Sequence, residues 1–310
     1  MFSLKGKSKS DAAAGITFSN DGIALAIIKR GSLSLILDAC QFVPCQPKDQ
    51  KTQLAQLAKQ YQLNLIPCNC VLLPGEFELL QVDAPEVPSQ ELSAALRWQI
   101  KDLLDFHIDD AVIDHIALPM EGSSGKKQLL VAASRESVIR EHVEHMQSAS
   151  CNINSVDIAN QAARNILNKQ IPTSAHESIG LLNLWNDVAK ISIILNQDIY
   201  INRSSNIGLE SLQFVSDEDT NSQLIVDSLA LELQRTFDYY ESHSRQSPIS
   251  QLVIISNEQP LEKLAVLLQQ RLGIDCIGIN IPDILTLNEN IANIDHKCIT
   301  AIGGALRGFS

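Results

Sequence analysis

The spacing of apolar positions changes repeatedly along the chain, and each change marks a short element. Residues 14–18 and 22–28 are apolar almost throughout and flank Ser19-Asn20-Asp21-Gly22, which predicts two strands of a hairpin. Residues 33–42 predict a third strand. Over 51–61 the apolar face Leu54, Leu57, Ala58 and Tyr61 has helical spacing, and 70–73 return to strand. Ser89 can cap a helix that starts at Gln90, with Glu91 suited to its positive end and Leu92, Ala95, Leu96, Ile100 and Leu103 on one face. A polar, glycine-containing turn at 119–127 precedes a strand at 128–133 and an amphipathic helix at 136–148, whose Val138, Ile139, Val143 and Met146 point inward. Residues 80–150 therefore predict a unit of αββα type.

The second half repeats this order. Residues 179–184 and 189–195 predict a hairpin around Trp185-Asn186-Asp187, followed by a strand at 198–203, a long helix at 224–242, a strand at 251–256, a helix at 260–272, a strand at 276–279 and a closing helix at 299–307. Two halves that each open with a hairpin and end in strands crossed by helices imply a duplicated α/β fold. A length of 310 residues, 45% of them hydrophobic, agrees with two lobes.

Charge narrows the possible partners. Against 36 Asp and Glu stand 24 Lys and Arg, and the net charge of -12 repels nucleic-acid backbones and anionic lipid alike. The basic start is followed only by Ala12-Ala13-Ala14, too short for an export signal, and no run approaches the ~18 apolar residues that span a bilayer. Seven cysteines, an odd number, suit a reducing compartment and are read as core thiols, so the expected location is the cytoplasm. Cys68-Asn69-Cys70 has the wrong spacing for a zinc knuckle. His142 and His145 share a helical face but lack a third and fourth ligand, so they are assigned to a solvated surface, and no metal is expected. No nucleophile elbow supports a hydrolase.

Four stretches carry a family resemblance. Residues 91–100, continuing through Leu104-Asp105-Phe106 to Val112-Ile113-Asp114, are the first; 130–138, ending near Ser155-Val156-Asp157, are the second; 251–256 running to Leu272-Gly273-Ile274, and 300–307, complete the set. Together, in this order, they resemble the actin-like pilus-assembly family, the PilM-type proteins of type IV pili, whose type II secretion relatives are called GspL. The resemblance extends from about residue 13 to 309 and lies nearest the family's branch in the mannose-sensitive haemagglutinin (MSHA) pilus.

That resemblance implies an actin-like (ASKHA, ribonuclease H-like duplicated) two-lobed fold with an inserted subdomain. The implied division is a flexible 1–12, a first lobe of 13–79 and 151–170, an inserted subdomain at 80–150 and a second lobe at 171–310. It also implies a partner, a PilN-like bitopic inner-membrane protein whose short cytoplasmic peptide enters the groove between the subdomain and the first lobe. Arg97, Trp98 and Phe106, an arginine beside aromatics, are the candidate partner-binding residues.

Actin-like ATPases grip phosphates with two glycine-bearing turns, each with an aspartate for the magnesium shell or the attacking water. By the resemblance the first aspartate falls on Thr17, and Asp21 of the turn is misplaced. The second falls on Asn183, with Trp185 at the glycine position and Asp187 on the far side of the turn. Asparagine lacks the charge that anchors magnesium, and tryptophan keeps a phosphate from the backbone. A third loop reads Ser256-Asn257-Glu258 where a glycine pair would face adenosine, while Gly303-Gly304 in the last helix is read as close helix packing. The expectation is a degenerate nucleotide site, no cofactor and no enzymatic activity, with ATP and magnesium binding, or a GspL-like scaffold, as the rival readings.

Overall fold

The computed structural model describes residues 2–3, 11–121, 127–171, 178–212, 220–244, 248–256 and 261–309, arranged as two units. The first unit comprises residues 1–162 and 287–310, the second 163–286.

The first unit begins with β1 (Phe2–Ser3), the hairpin β2 (Ala12–Ser19) and β3 (Gly22–Arg30), β4 (Leu35–Pro44), α1 (Gln50–Tyr61) and β5 (Pro67–Leu72). The inserted segment follows as β6 (Glu78–Asp83), α2 (Leu92–Ile100), β7 (Ala111–Glu121) and β8 (Lys127–Arg135). Then α3 (Glu136–Ser148), β9 (Asn152–Ile158) and α4 (Ala159–Gln170) complete the first passage through the unit. The second unit contains β10 (Ser178–Leu184), β11 (Ala189–Leu195), β12 (Asp198–Ser205), α5 (Leu209–Leu212), α6 (Thr220–Ser244), β13 (Gln251–Ser256), α7 (Glu262–Leu272), β14 (Asp275–Gly278) and α8 (Ile281–Ile284). The chain closes with β15 (Thr286–Leu287) and α9 (Ile299–Leu306).

The duplication is written in the strand orders. The large sheet runs β1-β9-β5-β2-β3-β4-β15 and the second unit's sheet β12-β11-β10-β13-β14, so β9-β5-β2-β3-β4 and β14-β13-β10-β11-β12 are the same arrangement. In both, the hairpin and its third strand pair antiparallel, whereas the later strands join the first in parallel. Parallel strands covered on both faces must be apolar without alternation. β2 and β10 meet this demand, and β10 is buried at every position.

Both large faces of the first sheet are identifiable from single residues. Gly15 on β2 lies under α9: a Cβ there would stand 1.9 Å from the Ala301 carbonyl oxygen and 2.6 Å from the Ala305 nitrogen. Phe18, of opposite parity on β2, instead stacks on His142 of α3 with ring centroids 4.8 Å apart. α9 is buried along its whole length and carries no charge, which is why its resting place must be a sheet face. Asn69, 1% exposed on β5, ties the layers together: its amide nitrogen donates to the Gly304 carbonyl oxygen at 3.0 Å, and its oxygen accepts from Asn154 and Ser155 at 2.8 and 2.7 Å. The thiols beside it are core groups, as burial pushes Cys70 well above the usual thiol range and keeps it protonated.

Several sequence expectations need correction. Residues 287–310 belong to the first unit, not the second, because α9 packs on β2, β3 and β5. Conversely the second unit begins at Ala163, within α4, where Arg164 pairs with Asp198 of β12 at 2.9 Å. Within the stretch expected to be flexible, Phe2 and Ser3 pair with Val156 and Ser155 of β9. The inserted segment is a three-stranded antiparallel sheet, β6-β8-β7, with α2 on one face. β6 and α4 were not foreseen. α3 packs on α1 and β9 rather than joining the α2 core, and its buried face is His142 and Met146, with Val138, Ile139 and Val143 only partly covered. α2 ends at Ile100, without a side-chain cap, and Leu103 beyond it is 57% exposed.

The Gly15 contact makes a direct prediction. Gly15→Ala forces three backbone atoms of α9 away from β2 and should cost more than the ~1–3 kcal/mol usual for overpacking, whereas Gly278→Ala, with open space at the added methyl, should leave the thermal unfolding midpoint unchanged. Equal midpoints for the two variants would contradict this packing.

Candidate functional site

The turns of the β2–β3 and β10–β11 hairpins, which the family resemblance sets against phosphate loops, are both engaged by the protein's own groups. In the first, Ser19 donates from Oγ to Asp21 Oδ1 at 2.6 Å, Cys45 N–H donates to the Asp21 carbonyl at 3.0 Å, and Gln50 donates from Nε2 to the Ser19 carbonyl at 2.7 Å. Lys297 forms an ion pair with Asp21 Oδ2 and lies 4.8 Å from the centre of the Phe42 ring. Gly22 sits against that same ring, where a Cβ would be 2.5 Å from Phe42 Cζ. Thr17 is buried. The carboxylate of this turn is thus already matched with a cation.

In the second turn the Trp185 N–H donates to the Val188 carbonyl at 2.9 Å, and Leu209 and Glu210 donate their N–H groups to the carbonyls of Trp185 and Asn186 at 2.8 and 2.9 Å. Gly208 permits this approach, since a Cβ there would stand 2.4 Å from the Asn186 oxygen. Asn183 is buried at 4% exposure, Trp185 is half-buried and Asp187 is exposed. Asn257 and Glu258 lie outside the described residues. Gly303 and Gly304 are packing glycines: a Cβ would meet the Ala162 oxygen at 2.3 Å and Val71 Cγ2 at 2.4 Å, respectively. Among the described residues no three His, Cys, Asp or Glu side chains cluster as metal ligands would.

The open concavity of the first unit lies elsewhere, between the inserted sheet and β5 and β9, with an empty volume of about 420 Å³. Its origin is the apolar run Leu129–Ala133 in β8. Alternation sends Leu129, Val131 and Ala133 into the core with Leu96 and Ile100 of α2, and sends Leu130 and Ala132 to the opposite face. Leu79 and Asp114 flank Ala132 across the sheet, and Ile116 is paired with Leu130. Facing this wall are Leu72, Val156 and Ile158. One end is polar. Asp157 accepts the Ile158 N–H at Oδ1 (2.9 Å) and pairs through Oδ2 with Arg307 at 2.9 Å, while Gln161 is 4% exposed and its buried Oε1 has no hydrogen-bond partner among the described residues.

A clamp sets the inserted sheet over the groove. Glu76, in the connection from β5 to β6, contacts His142 Nε2 through Oε1 at 2.7 Å and accepts the Leu73 N–H through Oε2 at 2.7 Å. Ser134 of β8 donates to the Glu76 carbonyl at 2.7 Å. His142, assigned to a solvated face from sequence, is therefore a buried residue at 7% exposure, held between Glu76 and Phe18. Sequence reasoning could not see this, because both of its partners, Glu76 and Phe18, come from distant segments.

The three candidate partner-binding residues sit in different environments. Arg97 donates to the carbonyls of Ala111 (3.0 Å) and Ile108, closing the turn between α2 and β7. Phe106 packs partly into the α2 core beneath the Arg135 guanidinium, 4.7 Å from the ring centre. Trp98 is 73% exposed, with Lys101 Nζ 3.9 Å from its ring centre. None of the three lines the groove. A signal that could have pointed to it is the unbroken apolar run of β8, which leaves a second apolar sheet face to be covered.

Known structures place this arrangement. A chain of the PilM-PilN type IV pilus biogenesis complex superposes with a TM-score of 0.72 at 17% identity, over 98% of this chain and 100% of that one. The cytoplasmic domain of EpsL, an inner membrane component of the type II secretion system of Vibrio cholerae, gives 0.50 at 11% over 93% of each chain. A Bacteroides thetaiotaomicron protein with an actin-like ATPase fold gives 0.50 at 8%, over 94% and 96%. The chain has the actin-like fold. Within it, residues 81–215 match the family model described as type IV pilus assembly protein PilM. No curated protein matches the chain in sequence.

The Asp21–Lys297 pair can be tested by titration. Burial works to raise the Asp21 carboxyl, but the hydrogen bonds from Lys297 and Ser19 and the Lys297 charge outweigh it and hold the group below its ordinary value. A depressed carboxyl stabilises the fold above the unfolded value of about 3.9, and that contribution is lost as the pH falls through the folded one. Lys297→Met should raise the Asp21 midpoint seen by NMR and cost under about 1 kcal/mol at neutral pH, the pair being half-exposed, with the difference vanishing in acid. An unmoved Asp21 midpoint would show that the pair is not formed.

Proposed function

We infer that this chain is an actin-like adaptor of a type IV pilus assembly platform, which receives the cytoplasmic tail of a PilN-like inner-membrane protein in the groove between the inserted sheet and β9. The observation that carries the reading is the position of the family match: residues 81–215 contain nine of the eleven groove-lining residues, all but Leu72 and Leu79. The structural likeness to a chain solved as a PilM-PilN complex supports the same partner. An apolar wall with a few buried polar groups suits a short peptide, with side chains in the apolar part and donors at the Asp157–Gln161 end.

The protein works at the cytoplasmic side of the inner membrane through that partner. Among the described residues no helix is long and apolar enough to cross a membrane. Within the family it stands with the MSHA pilus branch, whose counterpart is MshI. It hydrolyses no nucleotide: the first turn's carboxylate is held by Lys297, and the second turn offers Asn183 and Trp185 in place of aspartate and glycine. The likeness to the EpsL cytoplasmic domain supports a second reading, a scaffold of a secretion system, with the same groove serving another bitopic protein.

Calorimetry with a synthetic peptide of the PilN tail from the same organism tests the adaptor reading. Ala132→Trp fills the groove and should weaken binding at least tenfold, about 1.4 kcal/mol, with the thermal midpoint unchanged; undiminished binding would remove the groove from the interaction. Millimolar Mg-ATP should leave the melting temperature unmoved, since a ligand at 100 times its Kd would stabilise by about 2.7 kcal/mol. A clear upward shift would restore the ATP-binding rival.

A further inference from the structure

Two thiols of the first unit meet across segments that are far apart in the chain. Cys40 lies in β4 and is half-buried, whereas Cys298 ends the short turn His296–Cys298, directly before α9, and is fully buried. The returning chain is laid along β4. β15 joins the sheet beside it, the Asn288 N–H donates to the Leu37 carbonyl at 3.0 Å, and the Asn288 side-chain amide donates to Asp38 Oδ1 at 3.1 Å. The turn then packs on β3 and β4, and the Cys298 thiol donates a hydrogen bond to the Cys40 sulfur. Other contacts fix the turn in place: Asp295 Oδ1 accepts the Lys297 N–H and its carbonyl accepts the Cys298 N–H, both at 2.9 Å, while Lys297 pairs with Asp21. The two sulfurs are therefore held together before any reaction between them.

Their characters differ in the way a reactive and a resolving thiol differ. The Cys298 thiol and the Asp295 N–H both donate to the Cys40 sulfur, and they outweigh its burial and the Asp295 charge, so Cys40 is held below the ordinary thiol range. Cys298, as the donor of that bond and buried, is pushed up and keeps its proton. Cys45, just beyond the end of β4 and also half-buried, is pushed up by burial and by the charges of Asp49 and Asp21. A second pair, Cys68 and Cys151, is in contact too, but Cys68 shares its one proton with the Ile66 and Leu63 carbonyls at 3.1 and 3.4 Å. Cys151 is the less activated for that reason. Thiolate character, partial exposure and an adjacent resolving thiol mark the cysteines that peroxides oxidise first.

We propose that Cys40 and Cys298 form a peroxide-responsive disulfide, with Cys40 the nucleophile and Cys298 the resolving thiol, which fastens the start of α9 to β4. The Cys40 thiolate attacks one oxygen of hydrogen peroxide; the O–O bond breaks, hydroxide leaves, and Cys40 becomes a sulfenic acid. The Cys298 sulfur then attacks the Cys40 sulfur. The S–S bond forms, the S–O bond breaks, and the departing hydroxide takes the Cys298 proton and leaves as water. Peroxide gains two electrons, one from each thiol. Because the joined positions lie near opposite ends of the chain, the bond constrains the unfolded state strongly. The adaptor reading is not needed for any of these steps.

The test uses the full chain, reduced, freed of reductant and treated with a small molar excess of hydrogen peroxide. Digestion without reduction should yield the peptides of Cys40 and Cys298 joined, two hydrogens lighter than their sum. The thermal midpoint should rise by several degrees and return with dithiothreitol. Before oxidation, iodoacetamide at neutral pH should modify Cys40 at least tenfold faster than Cys45. In Cys298→Ala the reaction should stop at the sulfenic acid, trapped by dimedone on Cys40; the peptide map of the unaltered chain stands whether or not this variant folds. Peroxide that leaves both thiols free, or that joins Cys68 to Cys151 in their place, would overturn the site. Equal iodoacetamide rates, or dimedone on Cys45 in preference to Cys40, would overturn Cys40 as the nucleophile. A joined pair with an unmoved midpoint would overturn the fastening of α9.

Discussion

The absence of a side chain at Gly15 is the constraint on which the first unit depends. α9 carries no charge and exposes nothing, so it has to lie flat on a sheet, and the Ala301 carbonyl comes to where a Cβ would be, 1.9 Å away. Close approach also brings the Gly304 carbonyl within reach of Asn69, whose oxygen in turn collects Asn154 and Ser155 from β9. A single buried amide thereby satisfies three groups from two other elements, which is the condition for tolerating polar atoms in a core. β5 and β9, held this way, are the strands that form the floor of the groove.

The upper wall depends on a different device. The inserted sheet has two apolar faces and one helix to cover them, so α2 takes one face and the other is left to border the groove. Its position is set where it leaves the main sheet, by Glu76, which meets His142, Ser134 and the Leu73 amide at once. His142 is itself stacked on Phe18 of β2, so the clamp is anchored in the same strand that seats α9 on its opposite face. Floor and wall are thus referred to one strand.

Both hairpin turns are tied down by contacts from elsewhere in their own units. Lys297, Gln50 and Cys45 engage the first turn, and the backbone of Leu209 and Glu210 engages the second. These contacts stabilise the turns as structure.

Much of this was legible in the amino-acid sequence. The apolar runs of β2, β3, β10, β11 and β13, the two hairpins and the duplicated order follow from local periodicity, and the close-packing role of Gly303-Gly304 was readable from residue type. β6 escaped notice because it is short and only half-buried, and α4 because its polar residues, Asn160, Gln161 and Asn165, are buried in this structure and disguise its apolar face. The extent of the closing helix was visible, but not the unit it joins, since that depends on Gly15, some 290 residues away in the chain. Likewise the sequence identified Arg97, Trp98 and Phe106 by composition, whereas their separate environments and the groove itself arise from which strands become neighbours. Local spacing determines elements because neighbouring residues share a face; a site assembled from β5, β6, β7, β8, β9 and α4 is decided only when long-range packing brings those faces together.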